Sequence, residues 1–108
     1  MKVLTSYKNG LLTLYFKGEL DHHEAKDATE RIERLIDEYL PRDCIMDMSG
    51  LTFMDSSGIA VIMRIYRRLN ETGGRAWVEN PARQPMRVLD ASGIDRLVKI
   101  SVQGGVAQ

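Results

Sequence analysis

The apolar positions of this chain change period as it is read from the N-terminus. In LLTLYFK (residues 11–17), Leu12, Leu14 and Phe16 alternate with Thr13, Tyr15 and Lys17, the two-residue period of a strand with one buried side. VLTSYK upstream is a second β-prone run. Asn9-Gly10 lies between them, and both residues tolerate positive φ, so a two-residue type I′ turn and an opening β-hairpin are predicted. After Gly18 the period lengthens. Ala25, Ala28, Ile32, Leu35, Ile36 and Tyr39 recur every three or four residues, which predicts a helix over about 22–39 with one buried stripe. Asp21 and Glu24 read as a capping box at its start, and Pro41 ends it.

CIMDM (44–48) is short and mostly apolar, as expected of a central strand covered on both faces. A second helix follows from Ser57, with Ile59, Ile62, Ile65, Tyr66 and Leu69 inward and Ala60, Arg64, Arg67 and Arg68 on the opposite, solvated face; Gly73-Gly74 stops it. RAWVEN is a further strand. A third helix is placed from near Pro85 to before Gly93, because a proline disfavours helical geometry at the preceding Gln84. RLVKIS reads as a last strand and residues 102–108 as a loose tail. Strands alternating with helices imply right-handed crossovers. The expected fold is therefore a single α/β domain over 1–108, with a mixed, mostly parallel sheet of four to five strands, an N-terminal hairpin and three to four helices.

Composition narrows the function. A chain of 108 residues holds one core. Its 15 Lys and Arg balance 15 Asp and Glu, so no long-range field recruits nucleic acid or an anionic membrane. The same balance and the small size permit a monomer. The lone Cys44 sits in an apolar run, which suits a buried thiol in a reducing compartment. There is no apolar leader segment and no run long enough to span a bilayer, so a cytoplasmic protein is expected.

Candidate chemistry concentrates in FMDSSGIAVIMRIYRRL (53–69), where an acid, two hydroxyls and a glycine join the third strand to the second helix. Helix N-termini at the carboxyl ends of strands present free N–H groups and a partial positive charge. Asp and Ser are also ordinary N-caps, and glycine allows close approach, so capping and a functional role both fit these residues. Nucleophilic catalysis needs a base, yet the only histidines are the adjacent His22 and His23 on another helix, and Met54 stands where a nucleophile elbow needs glycine. Neighbouring histidines on a helix point about 100° apart, and no Cys or His cluster completes a metal shell. No P-loop motif is present, and nothing calls for a cofactor. The chain is thus read as a non-enzyme. A serine at a helix start can instead receive a phosphate, which the macrodipole favours and which places nearly two negative charges beside Asp55.

GELDHHEA (18–25), DMSGLTFMDSSGIAVI (47–62) and RVLDASGIDRLVKI (87–100) together resemble the anti-sigma factor antagonists, the bacterial STAS domains of sporulation and stress regulation. The resemblance covers nearly the whole chain in the same order. It implies a domain that binds an anti-sigma factor, itself an ATP-binding serine kinase, and so releases the sigma factor. It also implies that Ser56, directly after the Asp, is the phosphoacceptor. Phosphorylation would end binding and a serine phosphatase would restore it. Ala60 stands where such relatives often have glycine, a small change of contact surface.

Residue chemistry fits this picture. Ser56 is flanked by Ala60 and Met63, small and flexible side chains suited to an interface, and Asp55, Ser57 and Gly58 complete the motif. Asp21 and His22 also follow a strand's carboxyl end, so both helix starts are expected on one partner-binding surface, with Asp21 facing a partner cation. Asp21 as a plain cap and His22 as a solvated side chain are the simpler roles. The alternative for the whole protein is a STAS docking or ligand-sensing module that is never phosphorylated.

Overall fold

A computed structural model describes residues 1–102. β1 (Lys2–Lys8) and β2 (Leu11–Leu20) form the expected antiparallel hairpin. Lys8 pairs with Leu11, and Asn9 and Gly10 adopt φ of 53° and 83°, the left-handed pair that a type I′ turn requires. Then come α1 (His22–Tyr39), β3 (Asp43–Met54), α2 (Ser56–Glu71), β4 (Arg75–Glu79), α3 (Arg83–Ser92), a 3₁₀ turn (Ile94–Arg96) and β5 (Ile100–Ser101). α1 matches the predicted bounds. It closes on Leu40 in the left-handed region, whose N–H reaches the Ile36 carbonyl at 2.8 Å, and Pro41 cannot continue the helix.

The strands lie in the order β1-β2-β3-β4-β5, with every neighbour after the hairpin parallel. An order that never reverses, combined with right-handed crossovers, puts all three connecting helices on one face of the sheet. That face is the core: Leu12, Leu14, Phe16, Cys44, Met46 and Met48 pack with Ile32, Ile36, Ile62, Ile65, Leu69 and Leu89. The other face carries Thr13, Tyr15, Ile45, Asp47 and Trp77, all half-buried. The expectation that CIMDM is covered on both faces is therefore corrected: Cys44, Met46 and Met48 point inward, and Ile45 and Asp47 do not.

β3 also runs on to Met54 instead of ending at residue 48. Two register shifts against β2, between Tyr15 and Lys17 and between Gly18 and Glu19, insert extra residues into β3. Its inward residues from the first shift onward, Met48, Leu51 and Met54, are consequently three apart, and this hid the strand from a period-two reading. α3 starts at Arg83, two residues before the predicted Pro85. The first turn of a helix has no intrahelical acceptors for its N–H groups, so Pro85 fits there without losing a bond. RLVKIS contributes only Ile100–Ser101 as strand, because Ile94–Arg96 turn first and Val98 is fully buried. Val102 is exposed, and the rest of the predicted tail, 103–108, lies outside the described residues.

Cys44 has no exposed surface, and burial pushes its thiol up to about 12 from an ordinary 9.0. Below pH 9 both states keep the proton, and the stabilisation is fully present. Between 9 and about 12 the unfolded thiol ionises first, so stability falls as pH rises. Chemical denaturation across this window is expected to show a shallower decline for Cys44→Ala than for the parent protein. Identical slopes would contradict the burial effect.

Candidate functional site

β2 and β3 run in parallel and end together, with Leu20 registered on Met54. The two helices that follow therefore begin side by side. Their N-caps share one geometry: Asp21 has φ and ψ of −108° and −174°, and Asp55 has −106° and −170°. Asp21 Oδ1 accepts the His23 and Glu24 N–H groups, both at 3.0 Å. The capping box predicted there is half formed, since the Glu24 carboxylate takes the Met1 amino group at 2.9 Å and does not turn back to the cap.

Asp55 does more than cap its own helix. Its Oδ1 accepts the Ser57 N–H at 2.8 Å, and its Oδ2 accepts the His22 N–H of α1 at 3.1 Å. Its own N–H donates to the Leu20 carbonyl at 3.3 Å. One carboxylate thus joins the N-termini of two helices and satisfies an orphan donor on each. The sequence carries no signal for the bond to His22, because its partners are 33 residues apart and meet only through strand pairing. The two helix starts thus lie side by side.

On that surface Ser56 and His22 are exposed, while Asp21, Asp55 and Ser57 are half-buried. Helix α2 starts at Ser56, so this serine is its first helical residue, one earlier than predicted. Gly58 is buried, its N–H bonded to the Asp55 carbonyl at 3.0 Å. Met54 lies directly beneath it, and Leu20 closes the other side. Ala60 is exposed one turn on, and Met63 is half-buried against the core. The inward stripe of α2 is Gly58, Val61, Ile62, Ile65 and Leu69, with Ile59 and Tyr66 only half-buried.

Of the arginines on the outer face of α2, Arg64 and Arg67 are exposed as expected and Arg68 is half-buried. Arg64 pairs with Glu33 of α1 at 2.8 Å and Arg68 with Asp37 of α1, and Arg67 remains exposed. These pairs bridge α2 to α1, and at such exposure each is worth about 1 kcal/mol or less. Between the helices runs an open groove of about 690 Å³ that includes Ser57, Ala60, Arg64 and Arg67. Gln84 of α3 was singled out by no sequence pattern as a site residue, yet its carboxamide binds both polar groups of the Met54 backbone. Among the described residues no group of three or more His, Cys, Asp or Glu could hold a metal ion. No helix among them is long and apolar enough to cross a membrane.

Fold and site together define a small α/β domain in which two capped helix N-termini and an exposed serine share one end of a one-sided sheet. The chain belongs to the STAS domain family, whose sequence pattern matches residues 3–104. It is similar to the anti-sigma F factor antagonist of Paenibacillus polymyxa, 29% identical over 100 residues that make up 93% of this chain and 86% of that one. It shares its fold with the anti-sigma factor antagonist SpoIIAA in its unphosphorylated form, at a TM-score of 0.79 and 24% identity over 94% of this chain and 90% of that one. With SpoIIAA of Bacillus in the phosphorylated form the TM-score is 0.69 at 25% identity, over 94% and 93% of the two chains.

Proposed function

We propose that this protein is an anti-sigma factor antagonist. It binds an anti-sigma factor that is itself an ATP-binding serine kinase, thereby releases the sigma factor, and is switched off by phosphorylation of Ser56. A serine phosphatase resets it. The protein itself catalyses nothing. The observation that carries this reading is the exposed Ser56 at the first position of α2, beside the one carboxylate that joins both helix starts. Its similarity to the antagonist of Paenibacillus polymyxa and to SpoIIAA, a protein known in phosphorylated and unphosphorylated forms, supports it.

In this reading Asp21 and His22 from α1 and Asp55, Ser56, Ser57, Gly58, Ala60 and Met63 from the second helix start form the docking face. The half-exposed Asp21 keeps one carboxylate oxygen for a partner cation after Oδ1 has capped α1. The buried free thiol suits the cytoplasm, where the kinase and its nucleotide reside.

The test is intact mass after incubation with ATP and the anti-sigma-class serine kinases of the source organism, with Ser56→Ala alongside. A gain of one phosphate, about 80 Da, that disappears in Ser56→Ala is the expected result. No gain with any of these kinases would leave DSSG a helix cap and the protein a constitutive docking module.

A further inference from the structure

Met54 is the last residue of β3, and Asp55 alone separates it from Ser56. β4 pairs with β3 only from Asp43 to Asp47. Beyond Asp47 the side of β3 that faced β4 has lost its strand partner, while the side facing β2 stays paired through Met54. A strand residue turns its N–H and C=O to the same side. Met54 turns them toward the vacated side, since the next N–H, that of Asp55, bonds back to Leu20 of β2. Left there, both groups would be part-buried and unsatisfied.

Gln84 supplies what β4 does not. Its Oε1 accepts the Met54 N–H at 2.7 Å, and its Nε2 donates to the Met54 carbonyl at 2.9 Å. A carboxamide has the same donor and acceptor arrangement as a peptide group, so this side chain stands in for one residue of a neighbouring strand. It reaches Met54 because α3 begins at Arg83, two residues earlier than Pro85 would lead one to expect, which places Gln84 in its first turn. The anchored residue is also the one whose side chain lies beneath Gly58. Backbone bonds on one side and packing on the other thus tie Met54 to the start of α2.

We propose that Gln84 is the positioning residue for the Ser56 loop, holding the end of β3 so that the Ser56 hydroxyl is presented to the kinase in one geometry. This rests on the phosphoacceptor reading above. Gln84 touches neither phosphate donor nor acceptor and acts through Met54. Chemistry at a hydroxyl depends on alignment, so loss of the clamp lowers the rate of transfer more than it lowers encounter with the kinase.

The experiment compares the parent protein with Gln84→Ala, Gln84→Glu and the core variant Ile65→Val, which weakens the fold away from the site. Amide hydrogen exchange at Met54 is read without the kinase, and kcat and KM for phosphorylation are read with the cognate anti-sigma kinase and ATP. Gln84→Ala is expected to raise Met54 exchange about tenfold and to lower kcat about tenfold with little change in KM. Gln84→Glu retains the acceptor for the Met54 N–H and loses the donor to its carbonyl, so it should recover Met54 protection and part of kcat. Ile65→Val should keep both near parent values. Unchanged exchange in Gln84→Ala, unchanged kcat despite faster exchange, or an equal fall in Ile65→Val would each overturn the proposal. If the parent protein itself takes no phosphate, the phosphoacceptor reading fails, and the clamp is still judged by Met54 exchange.

Discussion

Under the proposed function, Ser56→Asp is expected to weaken binding of the anti-sigma factor by about 100-fold or more without weakening the domain itself. The two effects separate because the same charge meets different surroundings in the free protein and in the complex. In the free protein, residue 56 is exposed and is the first residue of α2, where the helix dipole favours a negative charge by about 0.3–1 kcal/mol. Thermal stability should therefore be equal or slightly higher. In the complex the added charge must leave water. Asp55 beside it has both oxygens committed to backbone N–H groups, so it offers the newcomer no compensating donor. Burying an uncompensated charge costs several kcal/mol, against roughly 8 kcal/mol for a micromolar complex. A loss of about 3 kcal/mol is already more than 100-fold. Phosphate, carrying about 1.5 to 2 charges, should act more strongly still, and Ser56→Ala should bind as the parent does. Titration calorimetry with the three proteins, paired with thermal melts, decides it. Parent-like affinity of Ser56→Asp would end the electrostatic switch, and a large fall in its melting temperature would replace it with simple unfolding.

Gly58→Ala is expected to lower stability by up to about 2 kcal/mol, although alanine is ordinarily the better helix residue by about 1 kcal/mol. The added Cβ would collide with Met54 near the root of its side chain and would stand 3.3 Å from Leu20 Cδ2. Neither neighbour can yield easily. Both are fully buried, and the Met54 backbone is pinned by Gln84 on one side and by β2 on the other. Overpacking of a closed core costs about 1–3 kcal/mol, which outweighs the gain in helix propensity. For a domain of this size a net loss of 1 kcal/mol lowers the melting temperature by about 4–8 °C. Met54→Ala opens space under the glycine, so the double variant should be less destabilised than the sum of the two single changes. Simple additivity, or a Gly58→Ala protein that melts higher than the parent, would show that α2 rides free of β3.

Much of this molecule was legible locally. Asn9-Gly10 announced the hairpin because only residues at ease with positive φ make that turn. The alternation in β2 and the helical stripe of α1 named their buried faces correctly, since the direction of a side chain follows from the backbone period alone. The chemical content of the candidate surface was legible too: Asp21, His22 and the DSSG motif do meet at one end of the sheet.

Failures of the local reading came where distant segments decide geometry. The extra residues in β3 exist only relative to β2, so a strand of twelve residues was seen as five. Pro85 argued for a late start of α3, and the first helical turn absorbed it. The pairing of Arg64 and Arg68 with α1 went unseen because Glu33 and Asp37 are 31 residues away, on a helix whose placement depends on strand order.

What the amino-acid sequence determined by itself was the order of the main strands and helices, the inward faces of β2 and α1, and the acid–serine–serine–glycine start of α2, because these follow from side-chain period and turn chemistry within a few residues. Only the tertiary structure decided the unreversed strand order that leaves one sheet face open, the Asp55 bond across to α1 and the Gln84 clamp on Met54. Each of these joins groups about thirty or more residues apart or depends on which strands become neighbours, and such pairings arise when parallel strands and right-handed crossovers bring the chain back on itself.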